Sequence, residues 1–321
     1  MHDQADKLRE MVHRQGRSSP GAGDAPRLIA VASGGAGAGA TTVAVNLAVG
    51  LALAGRRTVL VDVDLQRPGI AAGCRLDTRY SVADVLAGRR TLHEVLERGP
   101  GGIQVVTGPH AATRGFDASA GALRGLLAEL SQLGAHADLV VLDIGAGIGR
   151  AVQAFWQAAD WLLAVSTPEL GSLLDTFALI KLFAASRGDK PVASLINRAP
   201  SAEAARDASE RLARTCRGHL GLRLVSAGWL PIDAQLADAP GGWPFRLEAV
   251  DSEASRELDR VIESWSLDSA PPSTAAGQPA ATVAEPTTPE RGGLPAGTVP
   301  APHLDTFGSL GTSLPPGASV G

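Results

Sequence analysis

The sequence predicts an α/β fold in which a doubly wound, mostly parallel sheet carries helices on both faces. Between residues 28 and 265, short and almost wholly apolar segments alternate with segments of helical periodicity. Such continuous apolar strands are typical of parallel strands covered on both faces. The chain has 321 residues, 45% of them hydrophobic, which suffices for one large α/β domain.

Each predicted strand is an apolar run followed by a helical stretch. The first predicted helix, residues 41–55, is rich in small side chains and ends at Gly55. The last, residues 252–265, has one apolar face that we expect to close the domain. The crossovers between parallel strands should be right-handed. The predicted strands are residues 28–33, 57–64, 103–108, 139–145, 161–167, 192–197 and 222–229.

Two terminal segments differ from this predicted domain, residues 26–266. Residues 1–25 contain a charged helix candidate, residues 3–15, and then a linker rich in glycine and proline. Residues 267–321 hold ten of the 21 prolines and few charges. They cannot bury enough apolar area to offset their ordering entropy, so we expect a disordered tail. A solvated tail is favoured over a proline-rich partner site.

Charge and cysteine content argue against several classes of protein. A net charge of −4 gives no strong field for nucleic acid or an anionic membrane. Cys74 and Cys216 match no metal-ligand spacing, as expected of a reduced cytosolic protein. No apolar run approaches the ~18 residues of a membrane span, and the first residues do not resemble a secretory signal. We expect a cytoplasmic protein with at most peripheral membrane contact.

Three predicted strand ends carry residues that suit an anion and a metal. Ligands of open parallel sheets bind beyond the carboxyl ends of the strands. Residues 34–39 form a glycine-rich loop whose N–H groups could bind an anion at a helix N-terminus. Asp62 and Asp64 project to one side of the second strand's end, and Asp143 comes after four apolar residues near the end of the fourth strand. A tight turn for the loop and a helix N-cap for Asp143 are the alternative interpretations.

In this order and spacing the three segments resemble the deviant Walker-type P-loop ATPases of the MinD/ParA family. The resemblance implies a site for ATP or ADP with Mg²⁺. Asp64 would be the catalytic acid that orients the attacking water, and Asn197 would read adenine. Thr41, Asp62 and Asp143 would hold the metal. The loop residues implied to bind nucleotide are Gly34, Gly35, Ala36, Gly37, Ala38, Gly39, Ala40, Thr41 and Thr42.

The loop departs from the family pattern at both of its lysines. The lysine of G-x-x-x-x-G-K-[ST] falls on Ala40, and the family's first loop lysine, which reaches across a dimer, falls on Gly35. One charged hydrogen bond is worth about 1.5–3 kcal/mol. We therefore expect Mg-ATP to bind weakly or not at all, and hydrolysis to be inefficient. Arg67 is a candidate cation that could approach the phosphates instead.

The first residues resemble a narrower group, the FlhG/FleN flagellar-number regulators. The motif D-Q-A-x-x-L-R is carried by Asp3, Gln4, Ala5, Leu8 and Arg9. In that group this helix stimulates the FlhF-type, signal-recognition GTPase. The resemblance covers residues 3–265 and also implies flagellar switch or C-ring proteins or a flagellar transcription regulator as partners, a possible homodimer, and a place at the inner membrane face of the pole. The alternative for the helix is an ordinary frayed terminus.

The sequence favours three other functions less than this regulatory role. An active, ATP-dependent dimerising switch ATPase is the main alternative, favoured by the acids and opposed by the lost lysines. A tyrosine autokinase is rejected because such kinases need a tyrosine cluster, and the only tyrosine here is Tyr80. DNA binding through one arginine-rich helix is less favoured than a solvated helix face. The arginines in question are Arg206, Arg211, Arg214 and Arg217.

Overall fold

The computed structural model describes residues 25–110, 118–147, 149–187, 190–236 and 244–265. Its strands are β1 Arg27–Ser33, β2 Thr58–Asp62, β3 Glu97–Arg98, β4 Gln104–Val106, β5 Leu139–Ala146, β6 Trp161–Ser166, β7 Val192–Ala199 and β8 Val225–Pro231. They form one sheet in the order β3-β4-β2-β5-β1-β6-β7-β8. Every neighbouring pair is parallel except β3 and β4, which are antiparallel.

Helices connect the parallel strands and cover both faces of the sheet. Short 3₁₀ turns occur at Pro100–Gly102, Gln132–Ala135 and Ala234–Leu236. The α-helices are α1 Ala40–Leu53, α2 Ile70–Gly73, α3 Val82–Leu86, α4 Leu92–Val95, α5 Ala120–Ser131, α6 Arg150–Ala158, α7 Leu170–Arg187, α8 Ala202–Leu220, α9 Phe245–Glu248 and α10 Glu253–Ser264.

Two hydrophobic cores lie on opposite faces of the sheet, and β1 contributes to both. Leu28, Ala30 and Ala32 pack in the core formed with helices α5 to α8. Ile29 and Val31 pack in the core formed with α1 and α10. This alternation along one strand, with buried residues on both faces, is what a doubly wound sheet requires. The predicted fold class is confirmed.

The seven predicted strands are all present, with shifted ends. β2 ends at Asp62 rather than residue 64, because the Asp62 carboxylate accepts the N–H of Asp64 and the chain turns there. The sequence prediction missed β3, which has only two residues and no apolar signal. The first helix begins at Ala40, one residue before its predicted start. The last predicted helix, residues 252–265, corresponds to α10 with Ser252 as its N-cap.

Several predictions fall outside the described residues. These include most of residues 1–25, all of residues 267–321, and the motif residues Asp3, Gln4, Ala5, Leu8 and Arg9. The proposed domain boundaries therefore remain predictions. Within the described part of the chain, every helix is too short or too polar to cross a bilayer.

Candidate functional site

The predicted site residues lie together at the carboxyl ends of the central strands. β5 lies between β2 and β1, so Asp62 of β2 and Asp143 of β5 are register partners. Asp143 also pairs with Val31 of β1, two residues before that strand ends. The glycine-rich loop, residues 34–39, then connects β1 to α1. Loop and acids thus meet at the carboxyl ends of adjacent strands, as predicted.

Backbone conformation and close packing explain two of the loop glycines. Gly39, the N-cap of α1, has φ 89°, in the left-handed region that favours glycine. A Cβ atom at Gly34 would overlap the backbone of Asp175 in α7. The Ser33 hydroxyl donates to the Gly35 carbonyl at 2.8 Å and stabilises the first turn of the loop. The conformation of the loop therefore depends on its glycines, on the Ser33 hydrogen bond and on packing against α7.

Asp62 is fully buried, and the backbone uses both of its oxygens. Its Oδ2 accepts the N–H groups of Gly69 (3.0 Å) and Ile70 (3.1 Å) at the start of α2, and its Oδ1 accepts the N–H of Asp64. Burial, and then the negative charge of Asp143, raise the pKa of Asp62 well above its ordinary value. Asp62 thus holds the segment after β2 in place. Its role as a metal ligand stays a prediction.

Asp143 is also fully buried, and one of its oxygens is unsatisfied. Its Oδ1 accepts the N–H of Gly145 at 3.2 Å, whereas Oδ2 has no hydrogen-bond partner among the described residues. Burial raises the pKa of Asp143 to about 6, although the nearby Thr41 hydroxyl and the Gly145 N–H oppose this rise. An unpartnered buried carboxylate oxygen normally indicates a missing cation or water.

This donor set fits Mg²⁺. The ion takes oxygen ligands, and it is usually held by one or two carboxylates together with waters and substrate phosphates. Asp143 and the Thr41 hydroxyl supply such oxygens beside the loop. Within the described ranges no group of three or more His, Cys, Asp or Glu could hold a metal by itself. Bound there, Mg²⁺ would neutralise phosphate charge.

Asp64 is held in a fixed orientation by the turn that follows it. Its Oδ1 accepts the N–H groups of Gln66 (3.1 Å) and Arg67 (2.8 Å). Its side chain also packs against Gly145, where a Cβ atom would overlap the carboxylate. Arg67 contributes this backbone N–H, and its side chain is exposed. The turn therefore positions Asp64 next to the end of β5.

Two residues at a β-bulge near the end of β7 form hydrogen bonds with the loop. The pairing of β7 with β8 shifts between Ile196 and Ala199, and Arg198 has φ 54°. Asn197 Nδ2 donates to the Ala38 carbonyl at 2.8 Å, and Arg198 Nη1 donates to the Gly37 carbonyl at 3.0 Å. Arg198 is thus a cation at the loop that the sequence prediction missed. Its place directly after Asn197 at a strand end was the available signal.

A cavity of about 1040 Å³ opens beside the loop, toward the ends of β6, β7 and β8. It reaches residues 35–39, Thr42 and Asn197, whereas Thr41 and the three acids Asp62, Asp64 and Asp143 do not line it. The charged side chains that line it within the described residues are Glu169, Asp175, Asp233 and Arg198. Its size is at the upper end for a small-molecule site. The geometry thus provides an anion loop, a metal-suited carboxylate and an adjoining cavity.

Comparison with known proteins places this arrangement in a family. The model of the CobQ/CobB/MinD/ParA nucleotide binding domain matches residues 29–242, which include the loop and all of the sheet except the first two residues of β1. The chain belongs to the MinD/ParA family. It is also 32% identical over 249 residues to the antiactivator FleN of Pseudomonas aeruginosa, an alignment covering 76% of this chain and 89% of FleN.

Two further comparisons agree with this membership. The flagellum site-determining protein YlxH of Helicobacter pylori is 28% identical, over 49% of this chain and only 53% of YlxH. The MinD protein of Pyrococcus horikoshii, solved in complex with Mg-ADP, superposes with a TM-score of 0.61 at 22% identity, covering 74% of this chain and 95% of that one. At that identity the likeness shows the fold alone. Within the MinD/ParA family, FleN and YlxH indicate the FlhG/FleN subgroup.

Proposed function

We propose that this protein regulates flagellar number or placement by docking its N-terminal helix on an FlhF-type GTPase, and that its nucleotide site is degenerate. Similarity to FleN, an antiactivator, and to YlxH, a flagellum site-determining protein, supports the regulatory role. The observation that carries the proposal is that the loop keeps its hydrogen bonds to Asn197 and Arg198 but has no lysine at position 35 or 40.

The electrostatics of the loop explain why binding should be weak. Ala40, the buried first residue of α1, supplies only a methyl group where a lysine would reach the β- and γ-phosphates. Arg198, a cation that contacts the loop, already donates to the Gly37 carbonyl. Phosphates would therefore meet mainly backbone N–H groups. Losing one charged hydrogen bond weakens binding about 10- to 150-fold.

Weak binding of Mg-ADP or Mg-ATP remains part of the proposal. Thr41 and Asp143 would hold the ion, with Asp62 and Asp64 fixing the turn beside it. Asn197 would contact adenine from the cavity side, where it already lies. Bound nucleotide would then stabilise the loop but would not drive efficient turnover.

The regulatory contact is assigned to the N-terminal motif. Asp3, Gln4, Ala5, Leu8 and Arg9 would bind the GTPase. Flagellar switch or C-ring proteins or a flagellar transcription regulator are further candidate partners, and a homodimer is a candidate assembly. We place the protein in the cytoplasm, peripheral to the inner membrane face at the cell pole.

Stimulation of an FlhF-type GTPase tests this function directly. The full chain should accelerate GTP hydrolysis, and deletion of residues 1–15 should abolish the acceleration. Deletion of residues 267–321 is the matched control and should leave it intact. A Thr41→Ala variant should also stimulate, since the proposed contact needs no nucleotide. If the N-terminal deletion accelerates GTP hydrolysis as much as the full chain does, the proposal is wrong.

An active switch ATPase is the second candidate, and one observation favours it. The unpartnered Oδ2 of Asp143, beside a firmly positioned Asp64, is an arrangement suited to metal-assisted hydrolysis. In that case the parent protein should turn over ATP and Asp64→Ala should stop it. No turnover by the parent in saturating Mg-ATP would exclude this candidate.

A further inference from the structure

Asp175 of α7 faces the loop beside Gly35, the position of the missing first lysine. A Cβ atom at Gly35 would lie 2.7 Å from Asp175 Oδ2. The backbone of Asp175 packs so closely on Gly34 that α7 cannot shift relative to the loop without disturbing it. Asp175 thus lines the cavity together with loop residues 35–39.

No cation in the described residues neutralises this carboxylate. Arg198 donates to the Gly37 carbonyl, and no Lys, Arg or His in the described ranges forms an ion pair with Asp175. Lys181 is six residues farther along α7, about 9 Å of helix rise. Glu169 and Asp233 add further negative charge to the cavity. Among the described residues that line the cavity, carboxylates therefore outnumber cations by three to one.

We propose that Asp175 determines ligand selectivity at this site by repelling phosphate charge. The inference rests on the proposed degenerate nucleotide site, and it names Asp175 as one residue that weakens nucleotide binding there. Without a lysine at Gly35 to pair with it, the carboxylate acts on the ligand itself. Because Asp175 is exposed to water, repulsion between unit charges several ångströms apart corresponds to a factor of about three to ten in affinity. The penalty should grow from adenosine through Mg-ADP to Mg-ATP.

The test is a calorimetric titration of full-length Asp175→Asn, which removes the charge and keeps the side-chain shape. Adenosine, Mg-ADP and Mg-ATP are titrated into the parent, the variant, and both in an Ala40→Lys background. Affinity for Mg-ATP should rise about threefold to tenfold, affinity for Mg-ADP less, and affinity for adenosine not at all. Because Asp175 is exposed, the gain should shrink at high salt. Asp207→Asn, the same change on the exposed face of α8, is the control and should have no effect.

Each contrary outcome overturns the inference. An equal gain for adenosine would mean that packing, not charge, is responsible. An unchanged Mg-ATP affinity would mean that the carboxylate does not act on the ligand. Binding too weak to measure in every variant would mean that something other than Asp175 excludes nucleotide. GTPase stimulation is assayed separately, so a failed titration with intact stimulation rejects the inference and leaves the regulatory role standing.

Discussion

At the scale of single residues, Asp143 links stability to metal binding. Its burial raises its pKa from 3.8 to about 6, so the folded protein holds the proton more tightly than the unfolded chain. The unfolded state binds fewer protons between these values, and the free energy of unfolding therefore falls as pH rises from about 4 through about 6. At neutral pH the metal-free fold carries an unfavourable buried charge, which Mg²⁺ would relieve.

The first prediction concerns this buried charge. In the presence of a chelator, Asp143→Asn should melt above the parent at pH 8, and the difference should close as pH falls toward 4. About two pKa units correspond to at most ~3 kcal/mol, which for a domain of this size is at most about 6–12 °C in melting temperature. Calorimetric melts across pH measure it, with Asp207→Asn as control. A difference that widens at low pH would contradict the stated cause.

The second prediction concerns the contact between the loop and α7. Gly34→Ala would push a methyl group into the backbone of Asp175, which cannot move aside as a flexible side chain can. We expect a loss of about 1–3 kcal/mol in the free energy of unfolding. Gly218→Ala, in open space on α8, should be neutral or stabilising by about 0.5–1 kcal/mol. Urea denaturation compares the two; equal stability would show that the loop is not packed as described.

At the scale of elements, apolar runs predicted the central strands because those strands are buried on both faces. The same logic could not find β3, which has two residues at the sheet edge. It also gave no reason to connect Asp175 with the loop, since Asp175 lies within the apolar run of α7 and meets Gly35 only through tertiary packing. Arg198 was missed because a bulge, invisible in the sequence, directs it to the loop.

The third prediction concerns where the folded domain ends. α10 buries Leu258 and Val261 against the sheet, and Trp265 meets the Trp161 ring edge to face at 5.6 Å. Ending the chain after Trp265 should leave the melting temperature unchanged. Ending it after Pro244 exposes this core and should prevent cooperative folding. Thermal melts followed by tryptophan fluorescence decide this, and similar melts for both truncations would show that α9 and α10 are dispensable.

At the scale of the whole molecule, the strand order decides what the site can be. Residues from β1, β2, β5 and β7 converge because parallel strands end at one edge. The sequence alone predicted this convergence and the acids within it, from spacing and family resemblance. It could not predict that the Asp62 carboxylate accepts backbone hydrogen bonds or that Asn197 and Arg198 donate hydrogen bonds to the loop. These depend on how separate loops pack together.

The most direct test of the degenerate site is a calorimetric titration of Mg-ATP into the parent protein and an Ala40→Lys variant. Restoring the loop lysine adds a charged donor for the phosphates, so the variant should bind about 10- to 150-fold more tightly. Matching melting curves would confirm that both proteins are folded. A parent that binds Mg-ATP as tightly as the variant would contradict the central claim, because the backbone loop and Asp143 would then suffice for a working nucleotide site.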